Sequence, residues 1–141
     1  MKIGDYEAVY ALWLSCEGMG LNNVDDSKEG INRFLERNPK TCFVAEENSK
    51  IIGAIIAGND GRRGYIYHAA VAPDRRKKGI AKKLVEAVLD AMLDIGIAKV
   101  ALVVFAKNEI GNAFWEKLGF DSRSDLIYRN KSLMEIARID T

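Results

Sequence analysis

"VAPDRRKKGIAKKL", residues 71–84, sets four consecutive cations between a proline and a glycine, and a helical pattern follows. Pro73 has no N–H to give a β-ladder, so a strand that reaches it stops there. Gly79 permits a backbone conformation that other residues resist. The first N–H groups of a helix lack intrahelical partners, and a turn leading into them is an anion site, for phosphate above all. Arg75, Arg76, Lys77 and Lys78, with Lys82 and Lys83 one turn on, add positive potential. A solvated helix start explains the same lysines, and so many like charges also suggest a nucleic-acid tail. Against the tail stand the position inside a strand–helix junction and the lack of interleaved aromatic residues. Neither the GxxxxGK(S/T) of a P-loop nor the GxGxxG of a dinucleotide turn is present.

The strand before this junction is "YIYHAAV" (65–71). The helix after it runs from about 79 to 95, with Ile80, Leu84, Val88, Met92 and Ile95 on one face and Gly96 as its stop. "KVALVVF" (99–105) is a near-continuous apolar run, the pattern of a strand buried on both faces. Together they form a βαβ unit with parallel strands and a right-handed crossover. Upstream, "TCFVAEENSKIIGAIIAG" (41–58) reads as a β-hairpin turning at "ENSK", and "NDGRRG" (59–64) as the next turn. A first helix runs from an Asp5 N-cap to Cys16. A second opens at "DSKE" (26–29), a capping-box variant, and stops at Pro39. A short helix in "NEIGNAFWEKLGF" (108–120) and a last strand in "DLIYRNKSL" (125–133) complete the order α-α-β-β-β-α-β-α-β. That order predicts one α/β domain over 1–141, a mixed central sheet with helices on both faces. "MKIGDYEAV" reads as the tail of a strand ahead of a capped helix. Either a first strand is missing from the chain, or the fold dispenses with it.

With 141 residues, 48% of them apolar and 29% charged, the chain can build a sizeable core without disulfides. The net charge of +1 argues against a polyanion binder, because the basic run is local. Cys16 and Cys42 lie among apolar neighbours, no CxxC exists, and His68 is the single histidine. Buried reduced thiols, no metal site and a cytoplasmic location are expected. The N-terminus lacks a signal-peptide shape, and no apolar run reaches the roughly 20 residues that span a bilayer.

A resemblance follows from two motifs. Arg76-Lys77-Lys78-Gly79-Ile80-Ala81 resembles the acyl-CoA-binding motif (Q/R)-x-x-G-x-(G/A) of the GNAT N-acetyltransferase superfamily. "NEIGNAFWEKLGF", past an apolar strand, is similar to that family's late helix, whose pattern ends in Gly-Phe. The match covers nearly the whole chain and looks closest to small bacterial members of the YpeA-like kind.

The resemblance implies a GNAT-like sheet whose parallel strands 65–71 and 99–105 splay apart around the pantetheine of acetyl-CoA. Backbone amides from Lys77 to Lys82 would then cradle the pyrophosphate, with Arg76, Lys77, Lys78, Gly79, Ile80, Ala81 and Lys82 as the binding turn. Ala69, Ala70 and Val71 would hydrogen-bond the pantetheine as a pseudo-strand, and an amide near Ala69 would polarise the thioester carbonyl. Asn108 would contact CoA, or cap its helix, or both. Trp115 stands where the family has a tyrosine acid, and an indole N–H is too weak an acid for that role. Packing against the cofactor is its implied part.

Strict alternation puts Tyr65, Tyr67, Ala69 and Val71 on one face and Ile66, His68 and Ala70 on the other. The strand holds no carboxylate, and His68, the side chain that ordinarily titrates near neutrality, faces away unless a bulge intervenes. Tyr67 is the candidate for a catalytic or water-ordering role, and Tyr128 on the last strand is a second candidate acid. The acceptor is expected near 17–26 and 59–64. There Glu17, Asp25, Asp26 and Asp60 suit a cationic amine, whereas Arg62 and Arg63 suit a carboxylate or phosphate.

The leading expectation is an acetyl-CoA-dependent N-acetyltransferase that acts on a small-molecule or peptide amine by direct attack in a ternary complex. It needs no metal, nucleic acid or membrane, and a homodimer is compatible with it. The competing expectation is a CoA-binding regulatory or catalytically degenerate module, motivated by Trp115 and the missing strand carboxylate.

Overall fold

In the computed structural model, which describes residues 1–139, two apolar runs fold back at Asn48 and Ser49, whose φ angles are 51° and 62°. Two consecutive positive φ angles match the right-handed twist of paired strands, so the turn closes a tight hairpin. Its arms are β1 (Phe43–Glu47) and β2 (Lys50–Asn59), and β2 pairs antiparallel with β3 (Gly64–Val71). After α3 (Ile80–Asp94) the chain returns as β4 (Val100–Ala101), parallel to β3, giving a mixed sheet in the order β1-β2-β3-β4.

Helices cover both faces. On one, α1 (Tyr6–Leu14) and α2 (Lys28–Arg37) bury Val9, Leu12, Trp13, Ile31 and Leu35 with Ala54, Ile56 and Ala70 of the sheet. On the other, α3 buries Leu84, Val85, Val88 and Met92 against Ile55, Ala57, Ile66 and Val71, and α4 (Glu109–Lys117) packs beside it. Each such aliphatic side chain contributes about 1.5–3 kcal/mol when fully withdrawn from water. The expected layers are therefore present.

Three details depart from the sequence reading. Asp5 stands at the N-cap position of α1, but its carboxylate accepts the Lys2 N–H (2.9 Å) and closes a short 3-10 turn over Ile3–Asp5. Ser27, not Asp26, caps α2 by accepting the Gly30 N–H at 3.0 Å. The run 99–105, expected as a strand buried on both faces, is a strand only at Val100 and Ala101, the residues that pair with β3. Beyond them half-buried Leu102 and Val104 alternate with exposed Val103 and Phe105, since one layer alone covers the run.

The last expected strand, 125–133, forms no ladder. A strand needs an edge to pair with, and the neighbouring run leaves the sheet after Ala101. The extended pairing lies further on: the Asn23 N–H donates to the Ala137 carbonyl (3.0 Å) and the Ile139 N–H to the Leu21 carbonyl (2.9 Å). The C-terminal segment thus crosses to the loop between α1 and α2.

One polar tie passes through the core. Asp26, 3% exposed, accepts at Oδ2 from the Asn22 N–H (2.8 Å), and its Oδ1 lies 2.7 Å from His68 Nε2. The Tyr6 hydroxyl donates to the Asp26 carbonyl at 2.7 Å. Asp26→Ala is expected to cost about 3–5 kcal/mol, because it strands buried His68 and the Asn22 N–H. The exposed neighbour Asp25→Ala should move the unfolding midpoint little. Urea melts of both variants check this, and equal midpoints would refute the buried tie.

Candidate active site

The ladder between β3 and β4 ends after Tyr65 and Ala101. From Ile66 to Val71, β3 has β2 on one edge and, among the described residues, no strand on the other. An unpaired edge inside a fold is a notch into which an extended ligand can add as a pseudo-strand. A bulge accompanies it: Ile56 opposes His68 while Ala57 opposes Ile66, so Tyr67 is an extra residue. Bulges bend and twist the strand that bears them.

The bulge also overturns the strict alternation expected for this strand. Ile66, Ala69 and Val71 pack on the α3 side. Tyr67 meets Phe34 of α2 (ring centroids 5.6 Å) and Tyr65 (4.6 Å), while His68 meets Trp13 of α1 (4.9 Å) and Ala70 joins the same cluster. Tyr67 and His68, adjacent in sequence, therefore share a face, and Tyr67 does not share one with Ala69 and Val71. His68 is turned into the core, with Nε2 engaged by Asp26 and Nδ1 buried without a partner among the described residues.

β3 runs on into the basic junction. Pro73–Arg75 make a 3-10 turn, Lys77 has φ 63° and Gly79 φ 77°, and α3 starts at Ile80. The first i→i−4 bond runs from the Lys83 N–H to the Gly79 carbonyl (3.1 Å), and no acceptor is recorded among the described residues for the N–H groups of 77–82. A Cβ built on Gly79 would meet nothing within 4 Å, so the turn opens to solvent. The charges around it have separate duties. Arg76 Nε donates to the Val71 carbonyl (3.3 Å), Arg75 pairs with Glu47 (3.3 Å) and Asp74 (3.0 Å), and Lys82 stands 3.9 Å from Glu86. Exposed Lys77, Lys78 and Lys83 carry no such pairing among the described residues. Free amides beside unpaired lysines suit a pyrophosphate-bearing ligand.

The candidate acids fall in two places. Tyr67 and Tyr128 come close enough that the Tyr128 phenol acts electrostatically on both Tyr65 and Tyr67. Burial, then Tyr128 and then Asp25, raise the Tyr67 pKa, so the phenol holds its proton at neutral pH. Trp115 lies half-buried between Phe114 (5.0 Å) and Phe120 (5.2 Å), against the α3-side core. Asn108 caps α4 by accepting the Gly111 N–H at 2.9 Å, as its position suggested.

Next to Tyr128 opens a cavity of about 830 Å³, walled by the 20–25 loop and by residues 128–138. Asp25, Arg33 and Phe105 line it. Gly30 permits the loop to close so tightly, since a Cβ there would stand 2.4 Å from the Val24 carbonyl oxygen. Of the charges expected at an acceptor site, Asp25 alone faces this cavity. Asp26 is buried, and Asp60 is held in its own turn by the N–H groups of Arg62 (2.8 Å) and Arg63 (2.7 Å). Arg33 and Phe105 carried no local signal, since they meet only through the tertiary fold.

Among the described residues no group of three or more His, Cys, Asp or Glu side chains could hold a metal ion, and no helix is long and apolar enough to cross a membrane.

Comparison with known proteins agrees with this geometry. An acetyltransferase of Pectobacterium atrosepticum is 35% identical over 131 residues, 93% of this chain and 91% of that one. An acetyltransferase of Sodalis glossinidius is 32% identical over the same extent. In structure, the chain is similar to a predicted acetyltransferase from Clostridium acetobutylicum solved with acetyl-CoA, with TM-score 0.72, 23% identity and 92% of each chain covered. It is also similar to an aminoglycoside N-acetyltransferase solved with CoA, with TM-score 0.69, 20% identity and coverage of 93% of this chain and 91% of that one. The family model for the acetyltransferase (GNAT) family matches residues 6–120, and the chain belongs to that family.

Proposed function

We propose that this N-acetyltransferase moves the acetyl group of acetyl-CoA to a primary amine by direct attack, with both substrates bound together. The observation that carries the reading is the continuity of two features along one stretch of chain. The unpaired edge of β3 at 66–71 leads within a few residues to the free amides of 77–82. A thioester arm lying along the edge, with its phosphates on the turn, needs that order of features.

In the proposed step the amine nitrogen attacks the thioester carbonyl carbon. The C–N bond forms, the C–S bond breaks, and the amine proton passes to solvent while CoA leaves as its thiolate. With an ordinary thiol pKa near ~8.5, that leaving group tolerates departure without a strong acid. An N–H near Ala69 would polarise the carbonyl, as amides do in oxyanion sites. Tyr67, a phenol protonated at neutral pH, suits a hydrogen-bond donor to the thiolate or to an ordered water, with Tyr128 as the second donor.

An acyl-enzyme route is disfavoured by the state of the cysteines. Cys16 and Cys42 are 7% and 3% exposed, and burial raises the Cys42 pKa. A buried, protonated thiol is a poor nucleophile. Two unpaired thiols and a need for acetyl-CoA also favour the cytoplasm.

Thiol release from acetyl-CoA across a panel of primary amines tests the activity. CoA binding with no release from any amine would favour the degenerate module instead. Gly79→Asp puts a negative charge into the phosphate turn and should weaken CoA binding more than about tenfold; because the φ of 77° strains any side chain there, Gly79→Ala serves as the uncharged control and should weaken it less. Unchanged affinity would refute the phosphate assignment. Tyr67→Phe should lower kcat and leave KM for acetyl-CoA unchanged; a kcat equal to wild type would remove the phenol from the mechanism.

A further inference from the structure

The charges that face the cavity beside Tyr128 define what kind of amine it can hold, an argument that rests on the transferase reading above. Arg33 reaches the cavity from α2, is exposed, and forms no ion pair among the described residues. Lys131 and Arg138 line the cavity from the C-terminal segment, with the Arg138 guanidinium 5.0 Å over the Phe105 ring. Among the described residues Asp25 is the one carboxylate in the lining, and its Oδ2 accepts from Asn22 Nδ2 at 3.1 Å.

Among the described residues Arg33 and Lys131 therefore face one carboxylate, with Arg138 engaged over Phe105. A polycationic acceptor would meet net repulsion there. A simple amine would satisfy Asp25 and leave the guanidinium of Arg33 uncompensated. We infer that the acceptor is an amine that also carries an anionic group, a carboxylate or a phosphate, with the anion on Arg33 and the ammonium beside Asp25. Arg33 offers a planar fork that pairs with two oxygens of either anion at once. The ammonium end is on the reacting side, because the carboxylate of Asp25 acts electrostatically on Tyr67 of β3.

Matched ligands test this with the CoA-saturated enzyme, by calorimetric binding and by thiol release from acetyl-CoA. A dipeptide with a free C-terminal carboxylate is compared with its C-terminal amide, O-phosphoethanolamine with ethanolamine, and spermidine serves as the polycation. At least one anionic member should bind about tenfold tighter than its neutral match, and the pair that does so identifies the anion. Spermidine should bind most weakly. Arg33→Gln should bring the ratio close to one, whereas Arg33→Lys should retain part of it; Arg33 is a surface residue of α2, so a thermal melt verifies folding. Equal binding within both pairs, or tighter binding of spermidine, overturns the anionic acceptor even if thiol is released. Charge-selective binding lost in Arg33→Gln, with no thiol released from any of these amines, supports the anion site and overturns the transferase reading instead.

Discussion

One inserted residue organises this molecule. Tyr67 is extra in β3, and a strand with an extra residue must bend and change which side its residues face. Before the bulge, Ile66 packs towards α3; after it, Ala69 and Val71 do so, one residue out of simple alternation. The same bend accompanies the loss of pairing between β3 and the run after Ala101. The notch, the facing of the tyrosines and the inward turn of His68 all belong to that local geometry.

The bulge would be costly if its polar neighbour were left without a partner. His68 enters the core between α1 and β3, and Asp26 meets it from a loop 42 residues away in sequence. That contact ties the wall of the acceptor cavity to the strand that bears the candidate acid. The loop is held further by the Asn22 side chain, whose Oδ1 accepts from the N–H groups of Val24 (2.9 Å) and Asp25 (2.7 Å). A loop fixed in this way presents Asp25 in a defined place without spending its carboxylate on the core.

Charge is divided by location. The basic junction exposes N–H groups that the helix cannot use, beside exposed lysines. On the acceptor side the cations come from α2 and the C-terminal segment, parts of the chain far apart in sequence. Trp115 has Phe114 and Phe120 as ring neighbours, which makes the indole part of the packing around α4.

Local chemistry made the hairpin, the helix from 80 to 94, the turn at Gly79 and the family legible in the sequence. Those features depend on short-range rules: positive φ at a tight turn, a proline that stops a strand, glycine at a helix start, and periodic apolar faces. The reach of the run 99–105 and the fate of 125–133 were not legible. Apolar composition says that a segment can pair but not whether an edge is there to receive it, and here the sheet parts after Ala101. Nor could one chain show that Asp26 would be spent on His68, that Asp60 would serve its own turn, or that Arg33 would share a cavity with Asp25. By itself the sequence determined the layered fold and the turn from Pro73 to Gly79, because both follow from neighbours along the chain. Which charges were left for the acceptor was decided by the tertiary structure alone, since only folding brings those side chains together.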